Sequence, residues 1–116
     1  MSKVTVVSPT WLRANYLVRC LTALERQTRL PEEVIVVGRR EDMPAQQVVA
    51  DFAKRGHLSV RWVEVDKPGH IAPIKRGLEE TKCEIVAFLD GDTEPEQGWL
   101  QALLEPFTNP KVAPVQ

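Results

Sequence analysis

Residues 84–95 read Glu84-Ile85-Val86-Ala87-Phe88-Leu89-Asp90-Gly91-Asp92-Thr93-Glu94-Pro95. The apolar run from Ile85 to Leu89 is too short for a helix and matches a buried strand. A strand apolar on both faces fits a sheet covered on both faces, and such sheets are mainly parallel. The run stops at a pair of carboxylates separated by Gly91, which leaves the turn backbone free. Side by side at a strand end, Asp90 and Asp92 repel, and burial raises the cost. A divalent cation removes that cost. Oxygen-only ligands suit Mg²⁺ or Mn²⁺, which keep several waters and bridge to phosphates. The same residues also fit a solvated acidic turn in which Asp92 or Thr93 caps the next helix.

Working outward, the chain alternates. Val4 to Ser8 is a valine-rich strand pattern. Asn15 to Thr28 has Leu17, Cys20, Leu21 and Leu24 at helical spacing. Glu33 to Val37 reads as a second strand, followed by Gly38 and a charged loop. Pro44 stands at a first helical position, Val48, Val49, Phe52 and Ala53 mark an inner face, and Gly56 ends that helix. Leu58 to Val65 is a third strand, Lys67-Pro68-Gly69-His70 a turn, and Ile71 to Thr81 a helix with Ile71, Ile74 and Leu78 in register. Glu84 to Leu89 is the fourth strand. A last helix over about Glu96 to Phe107 precedes Lys111 to Val115, the start of a fifth strand. The expected fold class is therefore α/β, a mainly parallel sheet with helices on both faces, formed by residues 1–116 as one domain. Ligands in such sheets bind at the carboxyl ends of strands.

Composition agrees with an ordinary globular domain: 116 residues, 43% hydrophobic and 27% charged. The net charge of -1 offers no global attraction to nucleic acid or anionic lipid, so no nucleic-acid partner is expected. Cys20 and Cys83 lie in different elements without metal-type spacing and read as small apolar residues in or near a core. With neither a leader pattern nor an apolar run of about 18 residues, the chain reads as soluble and cytoplasmic.

Other candidates lie on the same strand-end loops. Pro9-Thr10-Trp11-Leu12-Arg13 places a hydroxyl and an aromatic ring where they line a nucleoside pocket, or simply pack on the sheet edge. Lys75 and Arg76, near the start of a helix, suit a diphosphate or form a solvated basic face. His70 is a phosphate or sugar contact or a plain loop histidine.

Taken in order, these stretches resemble the nucleotide-sugar-binding, N-terminal part of a family-2 glycosyltransferase. Val4 to Arg13 is similar to that family's first strand and Pro-Thr-Tyr-Asn-Arg loop. Gln27-Thr28 is similar to the end of its first helix, and Glu33 to Val37 to its second strand. Pro68-Gly69 with Lys75-Arg76-Gly77-Leu78 is similar to its Gly…Arg-Asn-Gly-Leu helix, and Glu84 to Pro95 to its strand and Asp-x-Asp motif. The resemblance implies a Rossmann-like GT-A fold that binds a nucleotide-diphospho-sugar, UDP- or GDP-linked. It implies a metal, Mn²⁺ or Mg²⁺, on Asp92 with Asp90 on the ribose or the metal. It also implies donor contacts at Pro9, Thr10, Arg13, Lys75 and Gly91, and transfer with inversion to an acceptor hydroxyl. The catalytic base is expected beyond Gln116, so the chain is expected to be a truncated, inactive piece that self-associates through its C-terminal strand. Two positions depart from the family. An aspartate usually follows the second strand, where this chain has Gly38-Arg39-Arg40 and carboxylates only at Glu41 and Asp42; Arg76 stands where asparagine is common. A receiver domain or a dehalogenase-like phosphatase would need acidic residues after the first strand, where Ser8-Pro9-Thr10 stands. The remaining alternative is a non-catalytic nucleotide-binding or interaction module that keeps the fold.

Overall fold

Val4, Val6 and Val7 lose all their exposure in the middle of the sheet. Each such side chain contributes roughly 1.5–3 kcal/mol of burial relative to an exposed one. The strand they form, β1 (Val4–Pro9), is central because both its neighbours are parallel strands: β2 (Glu33–Gly38) on one side and β4 (Ile85–Phe88) on the other. β3 (Val60–Glu64) completes the order β3-β2-β1-β4. This computed structural model describes residues 3–66 and 71–108. The turn read at Lys67 to His70 and the fifth strand read at Lys111 to Val115 lie outside them.

Four helices connect or follow these strands: α1 (Ala14–Glu25), α2 (Met43–Arg55), α3 (Ile71–Glu80) and α4 (Trp99–Thr108). One face of the sheet packs Val4, Val6, Val34, Val36, Val60 and Ala87 against α1, α2 and α4. The opposite face presents Val7, Ile35, Val37 and Val63, with α3 lying on β1 and β2. The α/β class with helices on both faces is therefore as the sequence pattern indicates. None of the helices among the described residues is long and apolar enough to cross a membrane.

Expectations change in four elements. β4 is an edge strand among the described residues, and Phe88 is 44% exposed, so its uniformly apolar sequence is not matched by cover on both faces. In α3, Ile74 and Leu78 are exposed and Gly77 is buried. A Cβ on Gly77 would stand 2.4 Å from Val7 Cγ1, so the missing side chain lets the helix backbone lie on β1 and turns the inner face toward the glycine. α4 begins at Trp99, after the expected Glu96, and neither Asp92 nor Thr93 caps it. In α2, Pro44 lies in the first turn and Gly56 ends the helix at φ 74° as expected, but Ala45 is buried while Ala53 is exposed.

Candidate functional site

Strand order reverses between β1 and β4, because the chain builds outward through β2 and β3 before crossing back. The crevice at such a reversal, beyond the strands' carboxyl ends, is where open α/β sheets bind ligands. Two loops flank it here, Thr10–Arg13 after β1 and Asp90 onward after β4.

The loops are sewn together by backbone. Leu89 N–H donates to Val7 O at 3.0 Å, and Gly91 N–H donates to Pro9 O at 3.1 Å. Gly91 is buried, and a Cβ there would meet Pro9 O at 3.1 Å and the Thr10 Cβ and Oγ1 at 3.2 Å. Only a residue without a side chain lets the acidic loop lie this close to Pro9-Thr10 without displacing it. Thr93 N–H donates back to Asp90 O at 3.1 Å and closes the turn. Asp90 and Asp92 are both exposed at its outer side.

Arg13, at the N-cap position of α1, points its guanidinium at Asp92, with a separation of 3.9 Å and both side chains about half exposed. Thr10 N–H is held by Val37 O at 2.9 Å, while its hydroxyl oxygen is buried and has no hydrogen-bond partner among the described residues. A buried hydroxyl without a partner is costly, and one placed against an acidic loop is a donor suited to a ligand oxygen. Below the loop, Cys20 Sγ lies 3.9 Å from Asp90 O. Burial pushes the Cys20 thiol up to about 11; the Ser8 hydroxyl opposes the shift and the charges of Asp92 and Asp90 add to it. Cys20 is thus a core residue, as the sequence indicated, and both cysteines are free.

Pro9, Thr10, Arg13, Asp90, Gly91 and Asp92 therefore converge. Lys75 is exposed on α3, which packs on the other face of the sheet, and no described contact joins it to the acidic loop. Arg76 has no hydrogen bond or ion pair to the acidic loop among the described residues. It approaches Glu79 and Glu80 at 3.7 and 3.4 Å and donates to Glu64 O at 3.4 Å. His70 lies outside the described residues.

The structure also explains Gly38. A Cβ at that position would stand 2.3 Å from Trp62 Cη2 and 2.9 Å from its Cζ2, so the Trp62 indole excludes any side chain at the end of β2. Beside it, the Arg39 guanidinium lies 4.5 Å from the Trp11 ring centroid, a cation–π contact between the loops after β2 and β1. The carboxylate at Asp42, which sequence reading left without a role, is buried and accepts from Leu12 N–H at 2.8 Å. Gln27 was likewise noted only as part of a pattern. It is buried, donates to Ala23 O and Glu96 O at 3.2 and 2.7 Å, and accepts from Leu100 N–H at 3.0 Å. It therefore anchors the far end of the segment that starts at Asp90. Its isolated place just past the end of an amphipathic helix carried no periodic signal.

A model of the family described as glycosyl transferase family 2 matches residues 5–116. The chain is 30% identical over 100 residues to the glycosyltransferase AglE of Haloferax volcanii, covering 84% of this chain and 33% of that protein. It is 37% identical over 111 residues to the pre-mycofactocin glycosyltransferase of Mycobacterium tuberculosis, covering 95% of this chain and 22% of that protein. It thus spans a third or less of the length of these curated relatives. Among solved structures, mannosyltransferase PcManGT from Pyrobaculum calidifontis, in complex with GDP-Man and Mn²⁺, superposes with a TM-score of 0.82 at 24% identity. That match covers 94% of this chain and 33% of the other. Glucosyl-3-phosphoglycerate synthase from Mycobacterium tuberculosis, in complex with Mn²⁺, UDP and glucosyl-3-phosphoglycerate, superposes with a TM-score of 0.70 at 21% identity, over 91% and 39% of the two chains. At these identities the structural likeness shows the fold, which is GT-A.

Proposed function

The chain belongs to glycosyl transferase family 2, and from that premise we propose that it is the donor-binding part of an enzyme that moves a sugar from a nucleotide-diphosphate sugar to an acceptor hydroxyl. The observation that carries this reading is the acidic loop, Asp90-Gly91-Asp92, fixed by Gly91 against Pro9-Thr10 at the crevice where the strand order reverses. Solved relatives of the same fold, in complex with GDP-Man and Mn²⁺ or with UDP and Mn²⁺, support a nucleotide diphosphate and a divalent metal as its ligands.

The donor set fits such a metal in chemical kind. Asp90 and Asp92 offer oxygen only, and among the described residues no group of three or more His, Cys, Asp or Glu side chains forms a complete cage. A pair of carboxylates that leaves the rest of the shell to diphosphate oxygens and water suits Mg²⁺ or Mn²⁺. On this reading Asp92 and Asp90 would hold the metal, which would supply Lewis-acid stabilisation of the departing nucleoside diphosphate. The chain's own residues bind and orient. Thr10 Oγ1 donates to a ribose or phosphate oxygen. Arg13 balances Asp92. Lys75, near the start of α3, adds positive charge near the diphosphate, an assignment supported by that position and by the family resemblance. The displacement inverts the anomeric carbon.

A rival reading, a domain that keeps the fold and binds without transfer, draws on the loop after β2. Trp62 bars a carboxylate at position 38, and Asp42 engages backbone amides. Calorimetric titration with UDP and GDP, with and without Mn²⁺, tests the proposal beside Asp92→Ala. Metal-dependent binding that disappears in the variant is the expected outcome. A folded chain that binds neither nucleotide under either condition sinks it.

A further inference from the structure

Asp42 is 1% exposed and stands at the N-cap of α2. One of its oxygens serves the helix, accepting from Ala45 N–H at 3.4 Å. The other accepts from Leu12 N–H at 2.8 Å, 30 residues upstream in the loop after β1. The shorter bond is thus the one a helix cap does not require. Leu12 is the only non-glycine among the described residues with a positive φ, 55°. The left-handed region is unfavourable for an L-residue with a bulky side chain, so it persists only where the surroundings hold it. Leu12 is 66% exposed, so side-chain packing offers little to hold it there. Its amide bond to Asp42 is the contact that supplies the restraint.

The turn at Leu12 sends its neighbours in different directions. Trp11 meets Arg39 of the loop after β2, and Arg13 meets Asp92 of the acidic loop. We infer that Asp42 is a positioning residue: by holding Leu12 in the left-handed conformation it sets where Arg13 stands against Asp92, so a carboxylate that touches neither metal nor nucleotide governs donor affinity. The turn stands on the geometry alone; its effect on the donor rests on the reading of Asp92 given above.

Asp42→Ser separates the two bonds, because a serine hydroxyl still caps α2 but is too short to serve Leu12 as well. Three measurements on the chain follow: amide hydrogen exchange at Leu12, calorimetric affinity for UDP and GDP with Mn²⁺, and the melting temperature. The expected result is at least about tenfold faster exchange at Leu12 and roughly tenfold weaker metal-dependent nucleotide binding, with the melting temperature little changed. Adding Leu12→Gly, which adopts positive φ without penalty, restores part of the affinity. A lost helix cap would not be rescued in that way. Unchanged exchange at Leu12 overturns the turn, and faster exchange with unchanged affinity overturns its influence on the donor. Failure of the donor reading itself shows separately, as an unmodified chain that binds no nucleotide; that result removes the coupling and leaves the exchange data to decide the turn.

Discussion

At the amino-terminal end of the sheet Arg61 donates to Glu33 at 3.0 Å, to the Glu80 carboxylate at 3.2 Å and to the Glu80 carbonyl at 3.0 Å. At the carboxyl-terminal end Arg13 lies 3.9 Å from Asp92 and 5.8 Å from the Tyr16 ring centroid, and the buried Thr10 hydroxyl has no partner among the described residues. Both ends combine arginine with carboxylates. The first closes its hydrogen bonds within the protein, as a network that fixes β2, β3 and α3 does. The second leaves donors and acceptors facing the crevice, although its backbone is fixed by Gly91, Leu89 and Thr10. Rigid backbone with incompletely satisfied side chains is the pattern of a binding site, because preorganised groups lose little on meeting a ligand.

Substitutions sharpen this contrast by separating binding from stability. The largest expected effect is that of Asp92→Ala. Metal-dependent nucleotide affinity falls by roughly a hundredfold, about 2.7 kcal/mol, while the urea midpoint stays put because Asp92 is exposed and weakly paired. A large drop in the midpoint would show that the acidic loop holds the fold together and would erase the contrast. Gln27→Leu comes next and acts the opposite way. It leaves Leu100 N–H and Glu96 O without their partner in a buried place, and urea unfolding is expected to show a loss of roughly 2–3 kcal/mol. Any effect on nucleotide binding is then secondary, through the anchored end of the segment that follows Asp90.

Much of this was legible in the sequence because it depends on local pattern. Valine runs marked β1 and β2, helical spacing marked the inner face of α1, and Pro44 and Gly56 bracketed α2. Convergence of Pro9, Thr10, Arg13, Asp90 and Asp92 followed from their shared position after β1 and β4. What escaped depends on contacts between distant residues. Gly38 looks like a lost carboxylate until Trp62 is seen over it, and Gly77 looks like a mid-helix weakness until Val7 is seen beneath it. Asp42 looks like an ordinary cap in a charged loop, since nothing in its neighbourhood names Leu12. Lys75 was placed by its position near a helix start and by motif order; it is exposed on α3, which packs on β1 and β2.

Arg61→Met tests the amino-terminal end directly. Its side chain is 41% exposed, so solvent screens its pairs and the expected loss is only about 1 kcal/mol. Nucleotide affinity should not move. A change in UDP or GDP binding in this variant would mean that the two ends communicate through β3 and α3, and the division drawn above would fail.

The smallest effect concerns pH, and it lies at the same end. Burial alone would raise the Glu32 carboxyl, but the Val4 N–H that it accepts at 2.7 Å, together with Arg29, outweighs burial and holds it below its ordinary value of 4.5. A carboxylate depressed in the folded state contributes its full stability above the unfolded value and loses it as pH falls through the folded one. Melts from pH 7 down to pH 3 should therefore show Glu32→Gln less stable than the parent at neutral pH, by a few tenths to about 1 kcal/mol, since the side chain is 37% exposed. The gap should close as the pH falls from about 4.5 through the lower folded-state value, where the parent protonates the same oxygen. A gap that persists unchanged in acid would assign the effect to hydrogen-bond geometry at the start of β1, and the charge on Glu32 would then have no part in holding this end of the sheet.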